Sequence, residues 1–462
     1  MEYLRRSDSA LLLVVAALAA ACGADGVGGP EQSSAGKSST NTGGVAMVGS
    51  GGAGVTSGGV SGNPADSPGA SGAAVVAGAG GGAQAVGGAE AAGGTQAAGG
   101  ALSSAGTGAG GGGAQQGGSG GTSATPMPAV TEMWVAPDGL DTNPGTEALP
   151  MKTVCDTASK TGACYKLCAG SYKCPATGAT IWMKTGTYKP TVKIDIGATR
   201  PGVAGGVMNL FAAPGAHPII DASGLPSDDP TKTGIALHLK GSYWHIKGIE
   251  ILNAPHNCIK VEGGYNVIEN VIVHHCGNTG ITIGQYSGTD MSAGPGSNNT
   301  ILNCDSYGNV GPNNQGEDAD GFGAKEQAGK GNLFKGCRSW NNADDGYDFH
   351  GWGDPITVQD CWAFENAKMG APGGDGNGFK LGKGPGGHTV TNGISAYNVK
   401  TAYTSNGADK LSTCVNCKAC SNGSVTGSGD HGISGTIADL SPCVSLAKGE
   451  GPRNTDGSLP SL

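Results

Sequence analysis

The chain has 462 residues, 89 of them Gly, with only 5% aromatic and 14% charged residues and a formal net charge of −9. No basic field exists to meet phosphates, which argues against broad nucleic-acid binding. One apolar run, at the extreme N-terminus, excludes a multi-span membrane protein.

That run is Ala10 to Ala21, preceded by Arg5 and Arg6 and followed by Cys22. Two positive charges, a short apolar stretch and a small-residue end predict a bacterial export signal over residues 1–22. The segment Leu18-Ala19-Ala20-Ala21-Cys22 resembles a lipoprotein cleavage box, with Cys22 as the lipidated first residue; the other reading is an ordinary cut near Ala21. Residues 23–126 are almost wholly Gly, Ala, Ser, Thr and Gln, a composition that cannot offset its ordering entropy. They are expected to form a flexible tether with a reach of roughly 50–60 Å. The protein is therefore expected at the cell surface or outer membrane as a lipoprotein, or secreted. Membrane contact would come through the lipid alone. Residues 127–462 remain for the folded domain.

Cysteine usage fits export. Of 14 Cys, Cys155, Cys164, Cys168 and Cys174 crowd one short stretch, and two local disulfides are predicted there. Zinc is the competing reading, but paired C-x-x-C knuckles are lacking.

From about Ser242 the chain becomes self-similar. Asn303-Cys304-Asp305-Ser306-Tyr307, Gly336-Cys337-Arg338-Ser339-Trp340 and Asp360-Cys361-Trp362-Ala363-Phe364 each place an apolar residue or Cys two before a small one. Gly393-Ile394-Ser395-Ala396-Tyr397 and Asn416-Cys417-Lys418-Ala419-Cys420 follow the same pattern. The column 249, 271, 304, 337, 361, 394, 417 has spacings of 22, 33, 33, 24, 33 and 23. A unit of 22–24 residues with insertions of about ten predicts an all-β chain wound as a parallel β-helix. Asn278, Asn309, Asn342, Asn366, Asn398 and Asn422 recur just past each unit, as a stacked side-chain ladder would require; unrelated turn asparagines are the alternative. Cys304, Cys337, Cys361 and Cys417 are then inward thiols rather than disulfides.

A second column locates the chemistry. Asp320-Gly321-Phe322-Gly323, Asp345-Gly346-Tyr347-Asp348, Asn377-Gly378-Phe379-Lys380 and, more loosely, Thr401-Ala402-Tyr403-Thr404 align as equivalent strands. Phe322, Tyr347, Phe379 and Tyr403 would stack inward, leaving Gly323, Asp348 and Lys380 outward in one file. Asp320 and Asp345 form a neighbouring file, and Asp344 adds a carboxylate at the turn. Four carboxylates on one face repel unless a cation sits among them. An all-oxygen set selects Ca2+ over zinc or copper. The plainer readings are an Asp-Asp-Gly turn and a surface Asp348–Lys380 ion pair.

The runs 316–322, 341–348 and 374–380 resemble family 9 polysaccharide lyases, the β-helical pectate lyases. Trp134-Val135-Ala136-Pro137-Asp138-Gly139, Asn143-Pro144-Gly145-Thr146 and Lys184-Thr185-Gly186-Thr187-Tyr188 resemble the same family, so that most of Met133–Gly423 is covered. The resemblance implies a right-handed β-helix and a calcium-dependent lyase acting on an acidic polysaccharide, polygalacturonate or pectin. It assigns Asp320, Asp344, Asp345 and Asp348 as calcium ligands and Lys380 as the base. The Cys155–Cys174 insert and the chain past Gly423 depart from the family pattern.

Abstraction of a proton beside a carboxylate needs charge stabilisation and an unprotonated amine, and a nearby divalent ion would lower the lysine pKa from its ordinary value of about 10.4. Lys325, Arg338 and Lys383 are the candidates for binding substrate carboxylates, with Lys330 and Lys335 nearby. The histidines, His274-His275 included, are expected in core or turn packing. A monomer is expected. Two competitors stand: a β-helical polysaccharide hydrolase with paired Asp residues, and a non-catalytic, calcium-stabilised adhesion or carbohydrate-binding module.

Overall fold

A computed structural model describes residues 130–460 except 157–158, 169–173, 228–232, 286–295, 313, 352–353, 371, 385, 428–432, 442 and 444–450. The signal peptide of residues 1–22 with Cys22, and the tether of residues 23–126, lie outside the described residues.

The chain winds as a right-handed parallel β-helix whose short strands stack in three ladders, every strand pairing being parallel. One ladder runs from Glu132–Val135 through Trp244–Lys247, Thr300–Leu302 and Thr357–Gln359 to Ser412–Cys420. A second passes through Glu250–Leu252, Asp305–Tyr307, Arg338–Trp340 and Trp362–Phe364 and meets the first in that same long strand. The third, of nine strands, runs from Ile194–Ile196 to Ser424–Thr426.

Coil corners are single residues with left-handed backbone. Between the first two ladders they are Asn270 (φ 51°), Asn303 (φ 53°), Asp360 (φ 55°), Asn392 (φ 54°) and Asn416 (φ 53°), with Gly248 and Gly336 at the equivalent places. Asn, Asp and Gly tolerate this region at least cost, so each corner is written locally in the chain. The residue after each corner turns inward, producing the column Ile249, Val271, Cys304, Cys337, Cys361 and Cys417.

The column is corrected at one coil. Ile394 pairs with Trp362 and Lys418, so Gly393, not Ile394, stands beside Cys361 and Cys417. A β-carbon at Gly393 would meet Val390 Cγ1 at 2.6 Å and Tyr403 Oη at 3.1 Å, which explains the missing side chain. Ile394 instead packs outside, with Trp362 and Phe364.

The asparagine ladder is present over five residues. Backbone amides of Cys276, Asn309, Asn342, Asn366 and Asn398 donate to the side-chain oxygens of Asn309, Asn342, Asn366, Asn398 and Asn422, at 3.0, 3.2, 3.3, 3.1 and 3.1 Å. Asn278 is not a rung: Cys276 occupies that place, and Asn278 accepts from Asn257 Nδ2 at 2.9 Å. A second ladder, through Asn266, Asn299 and Asn332, serves another corner in the same way.

The interior is a continuous apolar column with Phe322, Tyr347, Phe379 and Tyr403 stacked at successive centroid distances of 5.1, 4.7 and 5.0 Å. Cys155 bonds Cys164 and Cys168 bonds Cys174, around the short helix Ala163–Leu167 that lies against the first strands. Two further disulfides join Cys258 to Cys276 and Cys420 to Cys443. Cys304, Cys337, Cys361 and Cys417 are buried free thiols, as is Cys414.

Candidate active site and metal centre

The site lies on the outer face of the nine-stranded ladder. Strand register places Thr282, Gly323, Asp348, Lys380 and Thr404 side by side in successive coils. Their neighbours Phe322, Tyr347, Phe379 and Tyr403 point inward, so the aromatic stack anchors the spacing of the outer file.

Behind the file, the turn entering each strand supplies the carboxylates. Asp345 backbone N–H donates to Asp320 Oδ1 at 3.3 Å, and Asn377 donates its backbone N–H to Asp345 Oδ1 at 2.6 Å. Asp320, Asp345 and Asn377 are therefore one position in three coils. Thr279 Oγ1 donates to Asp320 Oδ2 at 2.7 Å. Asp344 is gripped by the backbone N–H groups of Asp318 (3.1 Å) and Asp375 (2.6 Å). These bonds orient the carboxylates before anything binds.

Asp320, Asp344 and Asp345 each offer an oxygen within 4.8 Å of the others. Asp348 turns toward two lysines. Lys325 Nζ lies 2.8 Å from both Asp348 Oδ2 and Asp320 Oδ2. Lys380 Nζ lies 3.0 Å from Asp345 Oδ2, 3.2 Å from Asp375 Oδ2 and 3.7 Å from Asp348 Oδ2.

The electrostatics are severe. Burial, with Asp320 and Asp345 beside it, pushes the Asp344 carboxyl up to about 9. Burial also raises Asp345 to about 7, Lys380 opposing while Asp348 and Asp320 reinforce. Asp348 is raised by burial against the pull of Lys325 and Lys380. Burial favours loss of the Lys380 proton, but Asp345, Asp348, Asp320 and Asp344 outweigh it and hold the ammonium well above its usual value.

A hard cation fits this arrangement. Asp348 Oδ1 and Asn377 Oδ1 are buried and accept no hydrogen bond, an expensive condition for polar oxygens, and Asp345 Oδ2 faces only the Lys380 ammonium. The donors are all oxygens. That set suits calcium.

The structure brings together Asp320, Asp344, Asp345, Asp348, Lys380 and Lys325. Lys325 sits inside the acidic cluster, not along its rim. Lys383 is exposed just past Lys380, its carbonyl accepting from Gly351 N–H at 2.7 Å. Arg338 is a correction. It belongs to another ladder and is only 5% exposed. Its guanidinium grips Asp305 through Nε at 2.9 Å and Nη2 at 2.7 Å, and Nη1 donates to Gly451 O at 2.6 Å. Two nitrogens hold Asp305 and the third a carbonyl of the C-terminal segment, so none is left for a sugar. Lys335 likewise lies in another ladder.

Asp375 and Asn377 escaped the sequence reading as site residues. The alignment of Asp320 with Asp345 and Asn377 already carried the second, but an amide among carboxylates did not mark it as a ligand. His238, expected in packing, stands further along the outward file, with Lys260 between it and Thr282, and its Nε2 meets Glu262 at 2.9 Å.

The family model described as "Pel9A-like, right handed beta helix region" matches residues 133–431. Pectate lyase L of Dickeya chrysanthemi is 32% identical over 334 residues, covering 70% of this chain and 73% of that protein. Pectate lyase PEL9 of Emericella nidulans is 32% identical over 317 residues, covering 61% of this chain and 71% of that protein. Among solved structures, pectate lyase Pel9A superimposes with a TM-score of 0.56 at 28% identity, covering 72% of this chain and 87% of that one.

Proposed function

The chain belongs to the Pel9A-like right-handed β-helix family and is a polysaccharide lyase, and we propose that it cleaves polygalacturonate by calcium-assisted β-elimination with Lys380 as the base. The observation that carries the reading is one side chain: Lys380 Nζ faces outward 3.0 Å from Asp345, at the edge of an acidic cluster with unsatisfied oxygens.

Asp320, Asp344, Asp345 and Asp348 would hold calcium, which when bound offsets the charge of the substrate carboxylate and of the carbanion developing beside it. Lys380 removes the C5 proton of the uronate, the electron pair forms the C4–C5 double bond, and the bond from C4 to the glycosidic oxygen breaks with its pair leaving on that oxygen, which takes up a proton from solvent. For that step Lys380 must be a neutral amine. The same carboxylates hold its proton, so offsetting their charge is what lowers the amine into working range. Asp375, 3.2 Å from Lys380 and 2.7 Å from Lys400, keeps the lysine aimed along the file. Lys383, exposed beside the site, is placed to meet the carboxylate of a neighbouring sugar.

In the same reading, residues 1–22 direct export with Cys22 as the lipid site, 23–126 tether the enzyme, and 127–462 form the lyase domain acting as a monomer on its polymer. The test is polygalacturonate turnover by the purified chain with calcium and then with chelator. Calcium-dependent unsaturated products support the reading. Saturated products would assign a hydrolase, and binding without turnover a carbohydrate-binding module.

A further inference from the structure

The Lys325 ammonium occupies ground that the proposed function gives to a cation. It bridges Asp320 Oδ2 and Asp348 Oδ2 at 2.8 Å each and lies 3.7 Å from Asp318 Oδ1. Its side chain is only 13% exposed. The position is prepared by the backbone: Gly323 leaves the outward file empty between Thr282 and Asp348, and a β-carbon there would touch Lys325 Cε at 3.5 Å. The stem of Lys325 therefore lies over the gap that glycine leaves, with its charge delivered into the acidic cluster. Even so, Asp348 Oδ1 remains without a hydrogen bond. One ammonium offers a single charge and three donors. A divalent ion offers twice the charge and six to eight contacts.

We propose that Lys325 is a built-in counter-ion of the calcium site, bridging Asp320 and Asp348 until a divalent cation takes both carboxylates and its own ammonium moves out into solvent reach. The inference rests on the calcium reading above and goes beyond it by making metal binding an exchange of cations. It also gives Lys325 two successive roles. It restrains two buried carboxylates first, and then presents a freed ammonium on the face where an acidic polymer would lie. Lys380, one coil beyond Asp348, has its shortest ion pairs with other carboxylates, Asp345 and Asp375.

Two measurements on the full chain test the exchange. Calorimetric titration compares calcium binding to wild type and to Lys325→Met, which keeps the stem and removes the charge. Removing a competing buried cation should tighten calcium binding about tenfold or more. Separately, wild type is acylated with an amine-reactive ester and the labelled lysines are mapped by mass spectrometry. Calcium should raise the labelling rate of Lys325 several-fold while leaving exposed Lys330 unchanged. Equal or weaker calcium affinity in the variant, or labelling of Lys325 unchanged or slowed by calcium, overturns the exchange while wild-type calcium binding still stands. If neither protein binds calcium, the metal reading itself falls and the exchange falls with it. The labelling arm uses the native chain, so it decides even where the variant folds poorly.

Discussion

Lys380 follows Asp348 by one coil in strict register, and its Nζ lies 3.7 Å from Asp348 Oδ2 on the outward face of the nine-stranded ladder. The pair joins the proposed base to a proposed metal ligand through two strands whose inward neighbours, Tyr347 and Phe379, stack at 4.7 Å. Anything that preserves this stack preserves the distance between Lys380 and Asp348.

Lys380→Ala should therefore remove catalysis without unfolding the chain. Loss of a positioned general base costs roughly 10²–10⁴-fold in rate. The assay is the ultraviolet absorbance of unsaturated products, with far-ultraviolet circular dichroism as the folding control. Retained turnover at wild-type rate would exclude Lys380 as the base.

The carboxylate cluster predicts an inverted pH dependence of stability. Asp344 and Asp345 have folded values of about 9 and about 7, above the ordinary carboxylate value of 3.8. Between these limits the folded chain binds more protons than the unfolded one, so without metal its stability falls as pH rises from about 4 toward 9. Calcium should offset that loss, and more at pH 9 than at pH 5. Thermal melts with chelator and with calcium read both slopes; a chelated protein more stable at pH 9 would contradict the assignment.

Asp305 has the opposite sign. Although burial alone would raise it, Arg338 and Arg453 hold its carboxyl below the usual value. Its stabilising contribution is present above the unfolded value, near 4, and is lost as pH falls through the depressed folded value. Arg338→Met leaves Asp305 with Arg453 alone in a buried place, so the loss should be real but below the roughly 3–5 kcal/mol of a buried charge left with no partner. Denaturant titration should show the loss, and KM for polygalacturonate should stay unchanged. A raised KM with unaltered stability would return Arg338 to the substrate.

Asn342→Ala removes one rung of the ladder. It strands the Asn309 backbone N–H and takes the Nδ2 donor from Asn366 Oδ1, which keeps only the backbone N–H at position 342. One buried unsatisfied group costs about 1–3 kcal/mol. Urea unfolding should show a loss in that range, whereas Asn278→Ala, outside the ladder, should cost less.

The winding was legible because a β-helix repeats its local instructions. Asn303-Cys304 and Asn416-Cys417 each state a left-handed corner followed by an inward residue, and no distant contact is needed to interpret them. The slip at Ile394 shows where that logic weakens. Gly393 and Ile394 are both apolar candidates, and Val390 together with the Tyr403 hydroxyl reaching across the interior selects between them. Arg338 failed for a related reason. Its distance along the chain from the acidic motifs is short, but one corner places it on another ladder.

Sequence alone determined the β-helical winding, the inward aromatic stack and the outward file from Gly323 to Lys380, because strand alternation and corner residues act over neighbouring positions. Tertiary structure decided which charges meet. Lys325 enters the acidic cluster and Arg338 binds Asp305 and the C-terminal segment, because a long side chain can reach several partners and only packing of separate coils selects among them.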